Sequence, residues 1–400
     1  MHKNRQAAIP VLFLTIFIDL IGFGIVFPLL PNYAREIGIS DVMVGILVFA
    51  FALTQFWSTP FWGSLSDKIG RRPVILISTL ISTVAYFVFG FANSFAIIII
   101  SRILAGFGSG NISAAQAYIV DITPPEKRAK SMGMIGAAFG LGFIFGPPLG
   151  GFIKTYFGIE YVGFFTAGLC LFNFALAYFI LPESITQKDI KRKLQLFPFI
   201  PIFNSLKKKG TSLVLVVGFI YTMAFFMFNI TANMMWMDKY LFDDLGVAYV
   251  FSFIGICTVI TQAFLVGWFS KKFKEITLLS MGTLIVGFCL LALAFVPKGW
   301  FFPFELLILA ALAIANGMVR PTCLSILSKL SGKHEQGEVM GVFQSVGSVA
   351  MGIGPLLATP LYGLGWGLHL PYYVGAGFLI FNVFIIYQLK VFLQPVESQA

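Results

Sequence analysis

An aspartate at position 19 interrupts an apolar stretch that begins at Ile9. If the stretch is a helix, a rise of about 1.5 Å per residue puts Asp19 roughly 15 Å along it. In water such a carboxylate is ordinary, but in hydrocarbon it costs about 2.5–3.5 kcal/mol. A group kept there either makes a fixed structural contact or takes up and releases a proton or cation. Arg102 lies about seven residues into the fourth apolar stretch, which runs the other way. The two then sit within about 5 Å of each other in depth, which a guanidinium can bridge. The spacing predicts an Asp19–Arg102 pair, serving as a static bridge or as a proton switch. Burial opposes ionisation of a carboxyl, and a nearby cation favours it. His2, His334 and His369 fall in tails or loops, so a carboxylate must carry any proton.

Other polar groups lie near these two. Glu305 opens the tenth apolar stretch, where the expected place is the water interface. Arg320, late in that stretch, either snorkels to the surface or faces inward to hold an anionic group. The amides Gln55, Asn111, Gln116, Asn173, Asn229, Asn233, Gln262, Asn316, Gln344 and Asn382 either line a substrate cavity or bond neighbouring helices. Phe225, Phe226, Met227, Met234 and Met235 offer an adaptable lining for a lipophilic guest, or a lipid-facing surface. Cys170, Cys257, Cys289 and Cys323 lie in apolar stretches without metal or disulfide spacing.

The elements that must position these groups are membrane helices. Of 400 residues, 58% are hydrophobic and only 11% charged, against about 25% charged in soluble domains. Runs of the roughly 20 residues that cross a bilayer fall near 9–32, 43–63, 73–92, 95–118, 131–153 and 161–181. Six more fall near 212–236, 248–269, 276–296, 302–327, 338–360 and 371–393. The expected fold is all-α, with twelve transmembrane helices in two six-helix bundles. These are residues 1–181 and 211–400, joined by a basic linker at 182–210 that carries Lys188, Lys191, Arg192, Lys193, Lys207, Lys208 and Lys209.

Charge sets the orientation. Of 27 Lys and Arg, 21 fall on one side if the N-terminus is cytoplasmic, and the outer loops hold only Arg35, Lys154, Lys239 and Lys298. The positive-inside rule therefore predicts both termini in the cytoplasm. Topology thus accounts for the net charge of +10, and no nucleic-acid partner is implied.

The halves repeat. Ser131-Met132-Gly133 through Gly146-Pro147 recurs as Val339-Met340-Gly341 through Gly354-Pro355, 208 residues later, and Gly63 to Lys68 recurs weakly as Gly267 to Lys272. A six-helix repeat keeps its orientation, so a pseudo-twofold axis along the membrane normal is expected. Such an arrangement suits a cavity open to either side in turn. A fused channel lacks support, because no repeated polar ring forms a filter.

Two strings are specific. Gly63-Ser-Leu-Ser-Asp67-Lys68-Ile-Gly70-Arg71-Arg72 joins the second and third stretches. There the glycines permit a tight turn, Asp67 can cap a helix and Arg71 can reach Asp121. In the fifth stretch, Gly142, Gly146, Pro147, Gly150 and Gly151 form a packing and bending element without acid–base chemistry.

Together these strings resemble the major facilitator superfamily over essentially the whole chain. The loop from Gly63 to Arg72 looks like the family's helix 2–3 signature, and Arg102 with Gly106 and Gly108 is similar to that on helix 4. Gly142 to Gly151 resembles the helix 5 string of drug–proton antiporters. Asp19-Leu-Ile-Gly-Phe-Gly through Phe27-Pro28-Leu-Leu-Pro31 resembles the tetracycline-exporter branch. The resemblance implies proton-coupled export by alternating access, with coupling at Asp19 and Arg102. It also implies a cytoplasmic gate at Gly63, Asp67, Gly70, Arg71, Arg72 and Asp121. Tetracycline exporters carry acids in helix 3, near Ala85-Tyr86 here, and in helix 9; this chain has neither, and Lys271 replaces Asp67 in the second half.

The resulting expectation is a monomeric secondary transporter of the inner or plasma membrane. Protons and a lipophilic or amphipathic small molecule are its partners, with membrane lipid as its solvent. A same-fold carrier of a sugar, siderophore or lysolipid, with or without coupling, is one alternative. A non-transporting receptor or scaffold is another. No nucleotide-binding loop, metal spacing or nucleophile–base string is present, so neither an enzyme nor a cofactor is expected.

Overall fold

The computed structural model describes the chain except residues 1, 124–127, 186–193, 195–198, 332–335, 365–368 and 398–400. Lys127, Lys188, Lys191, Arg192, Lys193, Lys333 and His334 thus lie outside the described residues. Everything regular among the described residues is helical. In chain order the helices are α1 (His2–Glu36), α2 (Asp41–Ile69), α3 (Arg71–Gly90), α4 (Phe95–Ser109), α5 (Ile112–Ile122), α6 (Arg128–Phe157) and α7 (Ile159–Ile180). There follow α8 (Phe199–Lys207), α9 (Lys209–Tyr240), α10 (Asp244–Ile260), α11 (Val266–Lys272), α12 (Glu275–Phe295), α13 (Leu306–Leu330), α14 (Gln336–Gly363) and α15 (Leu370–Glu397). Two π-helical turns, Thr261–Leu265 and Phe301–Glu305, join α10 to α11 and lead into α13.

Eleven stretches among the described residues are long and apolar enough to cross a bilayer. The remaining expected span, 131–153, falls within α6, many of whose side chains lie outside the described residues. Two details depart from the sequence reading. The fourth span is two helices, broken at Gly110-Asn111, where Gly110 presses against Ser58. The expected linker is not all irregular either: its last residues form α8, because Phe199, Ile200, Ile202 and Phe203 supply an apolar pattern that a polar-segment reading overlooks.

The helices sort into two compact units. The first holds residues Met1–Ser40, Ala50–Pro198 and Asp244–Ser252; the second holds Asp41–Phe49, Phe199–Asp243 and Phe253–Ala400. The first turns of α2 therefore group with the second unit, and those of α10 with the first. Glycine contacts show why. A Cβ on Gly45 of α2 would meet the Pro355 carbonyl of α14 at 3.0 Å, and one on Gly151 of α6 would meet Ala248 of α10 at 3.0 Å.

In the first unit α1 packs on α6 and α7, and α3 packs on α4 and α7. The α1–α6 contact is close because both helices present glycine. A Cβ on Gly146 would lie 2.6 Å from the Gly24 carbonyl carbon, and one on Gly150 would lie 2.7 Å from the Ile25 oxygen. The helix-5 string is thus a packing surface, here for the helix that carries Asp19. In the second unit, where α9 packs on α14 and α15, the repeat partner of Gly146 does the same. Gly354 of α14 presses on the Met223 carbonyl of α9.

These contacts give a graded expectation. Gly146→Ala forces a methyl into backbone and should cost about 1–3 kcal/mol. Gly168→Ala in α7, with nothing within 4 Å, should be neutral or stabilise by up to about 1 kcal/mol through helix propensity. Melting temperatures of the purified variants in detergent check the contrast; equal shifts would remove the close-packing argument.

Candidate functional site

Asp19 is half-buried in the first unit and held by two uncharged amides. Its Oδ2 accepts a hydrogen bond from Asn111 Nδ2 at 3.1 Å, and its Oδ1 accepts one from Asn173 Nδ2 at 3.4 Å. Asn111 comes from the break between α4 and α5, so that irregularity delivers one of the amides. Asn173, on α7, also donates to the Thr15 carbonyl at 3.2 Å. The carboxyl is fixed in place without a counter-charge.

The expected Asp19–Arg102 ion pair does not form among the described residues. Arg102 is buried on α4, with its guanidinium over the rings of Phe89 at 5.0 Å and Tyr86 at 5.6 Å. It donates to Ser101 Oγ at 3.1 Å, while its Nε finds no partner among the described residues. Desolvated cation–π contacts of this kind are worth about 2 kcal/mol. Depth alone, which the sequence supplied, says nothing of azimuth around the helix. Tyr86 is within electrostatic reach of both charges.

At one end of this unit lies a dense ionic cluster. The string from Gly63 to Ile69 is helical, not a loop, and Gly63 faces Ser113 across α5. In the last turn of α2, Asp67 pairs with Arg71 Nη1 at 2.5 Å. The turn is Gly70 alone, at φ 116°, a conformation suited to glycine. The Arg71–Asp121 contact forms, with Nε 3.1 Å from Oδ2. Arg71 also donates from Nη1 to Ser66 Oγ and from its backbone N–H to Glu183 Oε1 at 2.9 Å. Ser184 Oγ donates to Asp121 at 2.9 Å, and Arg72 donates to the Tyr178 carbonyl. Sequence reading missed Glu183 and Ser184. Their signal was a carboxylate and a hydroxyl just past a span that ends on the same side as Asp121.

At the other end, Lys154 is an ion-pair centre and not just a loop charge. Its side chain, only 8% exposed, reaches Glu36 at 2.7 Å and Asp244 at 2.8 Å, and Asn32 donates to Asp244 at 2.7 Å.

The second unit differs. Glu305, expected at the water interface, is fully buried and accepts hydrogen bonds from Trp236 Nε1 at 2.7 Å and from the Tyr240 hydroxyl. The last turns of α9 cover it. Met227, Met234 and Met235 are fully buried core residues, not a cavity lining or a lipid face. Arg320 is exposed and donates to Gln344, while Tyr221 donates to Asn316 at 2.9 Å. Asn229 and Asn233 are buried on α9, and Gln116 and Gln262 are half-buried. Gln55 donates to Ser109 at 3.1 Å, and Asn382 donates to the Val217 carbonyl at 3.0 Å. Where the first unit has Asp67, Lys271 and Lys272 are exposed; Glu275 instead pairs with Lys329 at 2.9 Å. Among the described residues no group of His, Cys, Asp and Glu could hold a metal.

A sequence profile of the Major Facilitator Superfamily matches residues 12–355. The chain belongs to that superfamily. It is 31% identical over 385 residues to multidrug resistance protein 2 of Bacillus subtilis, covering 94% of each chain. It is 30% identical over 383 residues to the class C tetracycline resistance protein of Escherichia coli, covering 91% of this chain and 93% of the relative. The solved structure of a human organic anion transporter shares the fold, with a TM-score of 0.75 and 24% identity over 96% of this chain and 99% of that one. The chain is thus a multi-pass membrane transporter of a superfamily that includes drug-efflux proteins.

Within this superfamily member, Arg71 is the fork that holds two carboxylates at once. Arg71→Lys keeps the charge but loses the planar fork, leaving a carboxylate short of donors at a cost of about 2 kcal/mol. Arg72→Lys, which gives up one bond to a carbonyl, should cost less than half of that. Thermal unfolding of the two variants in detergent tests the ranking.

Proposed function

We propose that the protein is a proton-coupled exporter of lipophilic or amphipathic, drug-like molecules. Twelve membrane-spanning helices would form two six-helix bundles, both termini would be cytoplasmic, and transport would proceed by alternating access in the inner or plasma membrane. One observation carries this reading: the Asp19 carboxyl, inside an apolar helix long enough to cross a bilayer, lies against two neutral amides and, among the described residues, no cation. Such an acid gains or loses a proton without breaking an ion pair. Its charged form needs water and its neutral form does not, so the two forms favour conformations that differ in water access. Protons arriving from outside would neutralise Asp19 and bias return to the inward-open state.

Arg102 would act as a fixed positive charge beside Tyr86, a ring that lies within electrostatic reach of Asp19 as well. The Arg71 cluster, with Asp67, Asp121 and Glu183, would latch the cytoplasmic end, and the Lys154 cluster the outer end; each would have to loosen when its own side opens, and both are closed in this structure. Gln55, Gln116, Asn229, Asn233, Gln262, Asn316, Arg320 and Gln344 remain candidates for substrate contact, and the resistance proteins among the relatives support a drug-like guest.

The test is proton flux in proteoliposomes with an imposed pH gradient. Lipophilic drugs added to the wild-type protein should elicit proton movement and gradient-driven accumulation. Asp19→Asn should reduce both to the background of empty vesicles while substrate binding persists. Full gradient-driven accumulation in Asp19→Asn would overturn the assignment, and drug movement without protons in the wild type would favour an uncoupled carrier.

A further inference from the structure

Helix α8 carries its apolar side chains on the wrong side for a soluble helix. Phe199, Ile200, Phe203 and Leu206 are 54, 74, 61 and 42% exposed, whereas Ser205 is its buried residue. At 100° per residue these four side chains fall on one continuous arc, and Ser205 points the opposite way against the protein. Lys207 falls within the arc, between Phe203 and Ile200, with its ammonium 4.6 Å from the centre of the Phe203 ring, and its long stem lets the charge reach the headgroup level. Lys208 and Lys209 follow at once, both exposed.

Position decides which medium meets this face. Lys208, at φ −85° and ψ 105°, is the one non-helical residue between α8 and α9. Because α9, Lys209–Tyr240, is long and apolar enough to cross the membrane and its apolar run begins near residue 212, α8 lies within about a turn of the bilayer surface and turns off the axis of the span. An exposed apolar arc bordered by lysines at that depth is the pattern of a helix lying in the headgroup–acyl boundary.

We propose that α8 is a lipid-binding surface that takes up anionic phospholipid. Phe199, Ile200, Phe203 and Leu206 enter the acyl boundary, while Lys207, Lys208 and Lys209 contact the phosphate and acidic headgroups. Each lysine near an anionic leaflet strengthens binding about fivefold, and salt screens the effect. The proposal needs only that α9 crosses the membrane, and does not depend on what the protein transports or how it is energised.

The test uses the full chain in vesicles of phosphatidylcholine alone and of phosphatidylcholine mixed with phosphatidylglycerol. Hydrogen–deuterium exchange is read on peptides covering residues 199–209 and, as a folding control, on α9. In the anionic vesicles the amides of α8 should exchange at least about tenfold more slowly, and added salt should erase the difference. The triple variant K207Q, K208Q, K209Q should keep the helix and lose the lipid dependence. Phe203→Glu should lose protection in both vesicle types. Protection that is strong but equal in both vesicles would mean that another segment or a second copy covers the arc, and would overturn the proposal. So would the absence of protection in both.

Discussion

Two hydrogen bonds to one carboxylate organise the first unit. Hydrocarbon offers a polar group no water, so whatever Asp19 lacks on α1 must come from other helices. Asn111 and Asn173 supply it, and in doing so they tie α1 to the α4–α5 junction and to α7. Neutral partners have a further consequence. An ion pair would hold the acid in its charged form, whereas two amides leave the choice to its surroundings.

The glycine contacts set how close the donors can come. Gly24 with Gly146, and Ile25 with Gly150, bring the backbones of α1 and α6 together at distances that no β-carbon survives. In a membrane such approach replaces the hydrophobic force, because lipid is as apolar as leucine and only packing and hydrogen bonds favour helix association. The second unit repeats the device with Gly354 against α9. The repeat seen as a string of letters is thus a repeat of a backbone contact.

Chemistry, by contrast, is not repeated. The first unit concentrates its charge at its two ends, around Arg71 and around Lys154, with Asp19 between them. The second unit has a buried acid under Trp236 and Tyr240, an exposed Arg320 bonded to Gln344, and a Glu275–Lys329 pair at the level where Asp67 has no counterpart. Duplication preserved the scaffold, which packing constrains at many positions. Polar side chains need to fit only a few neighbours, so they diverged.

Chain order and side-chain chemistry decided much in advance. Lengths and polarity of the apolar runs placed the spans, since a bilayer accepts little else. The glycine spacing marked the packing face of α6, because absence of a side chain is itself the feature. Arg71 with Asp121 was legible because both lie at span ends on one side, where only lateral distance was in question. What the amino acids could not settle was azimuth. Asp19 and Arg102 share a depth, yet rotation about their helices sends one to amides and the other to aromatic rings. Glu305 stands at the start of a span, yet the last turns of α9 fold over it. Depth is linear in residue number, and so can be read along a chain. Facing depends on how several helices pack together at once, which only the tertiary structure resolves.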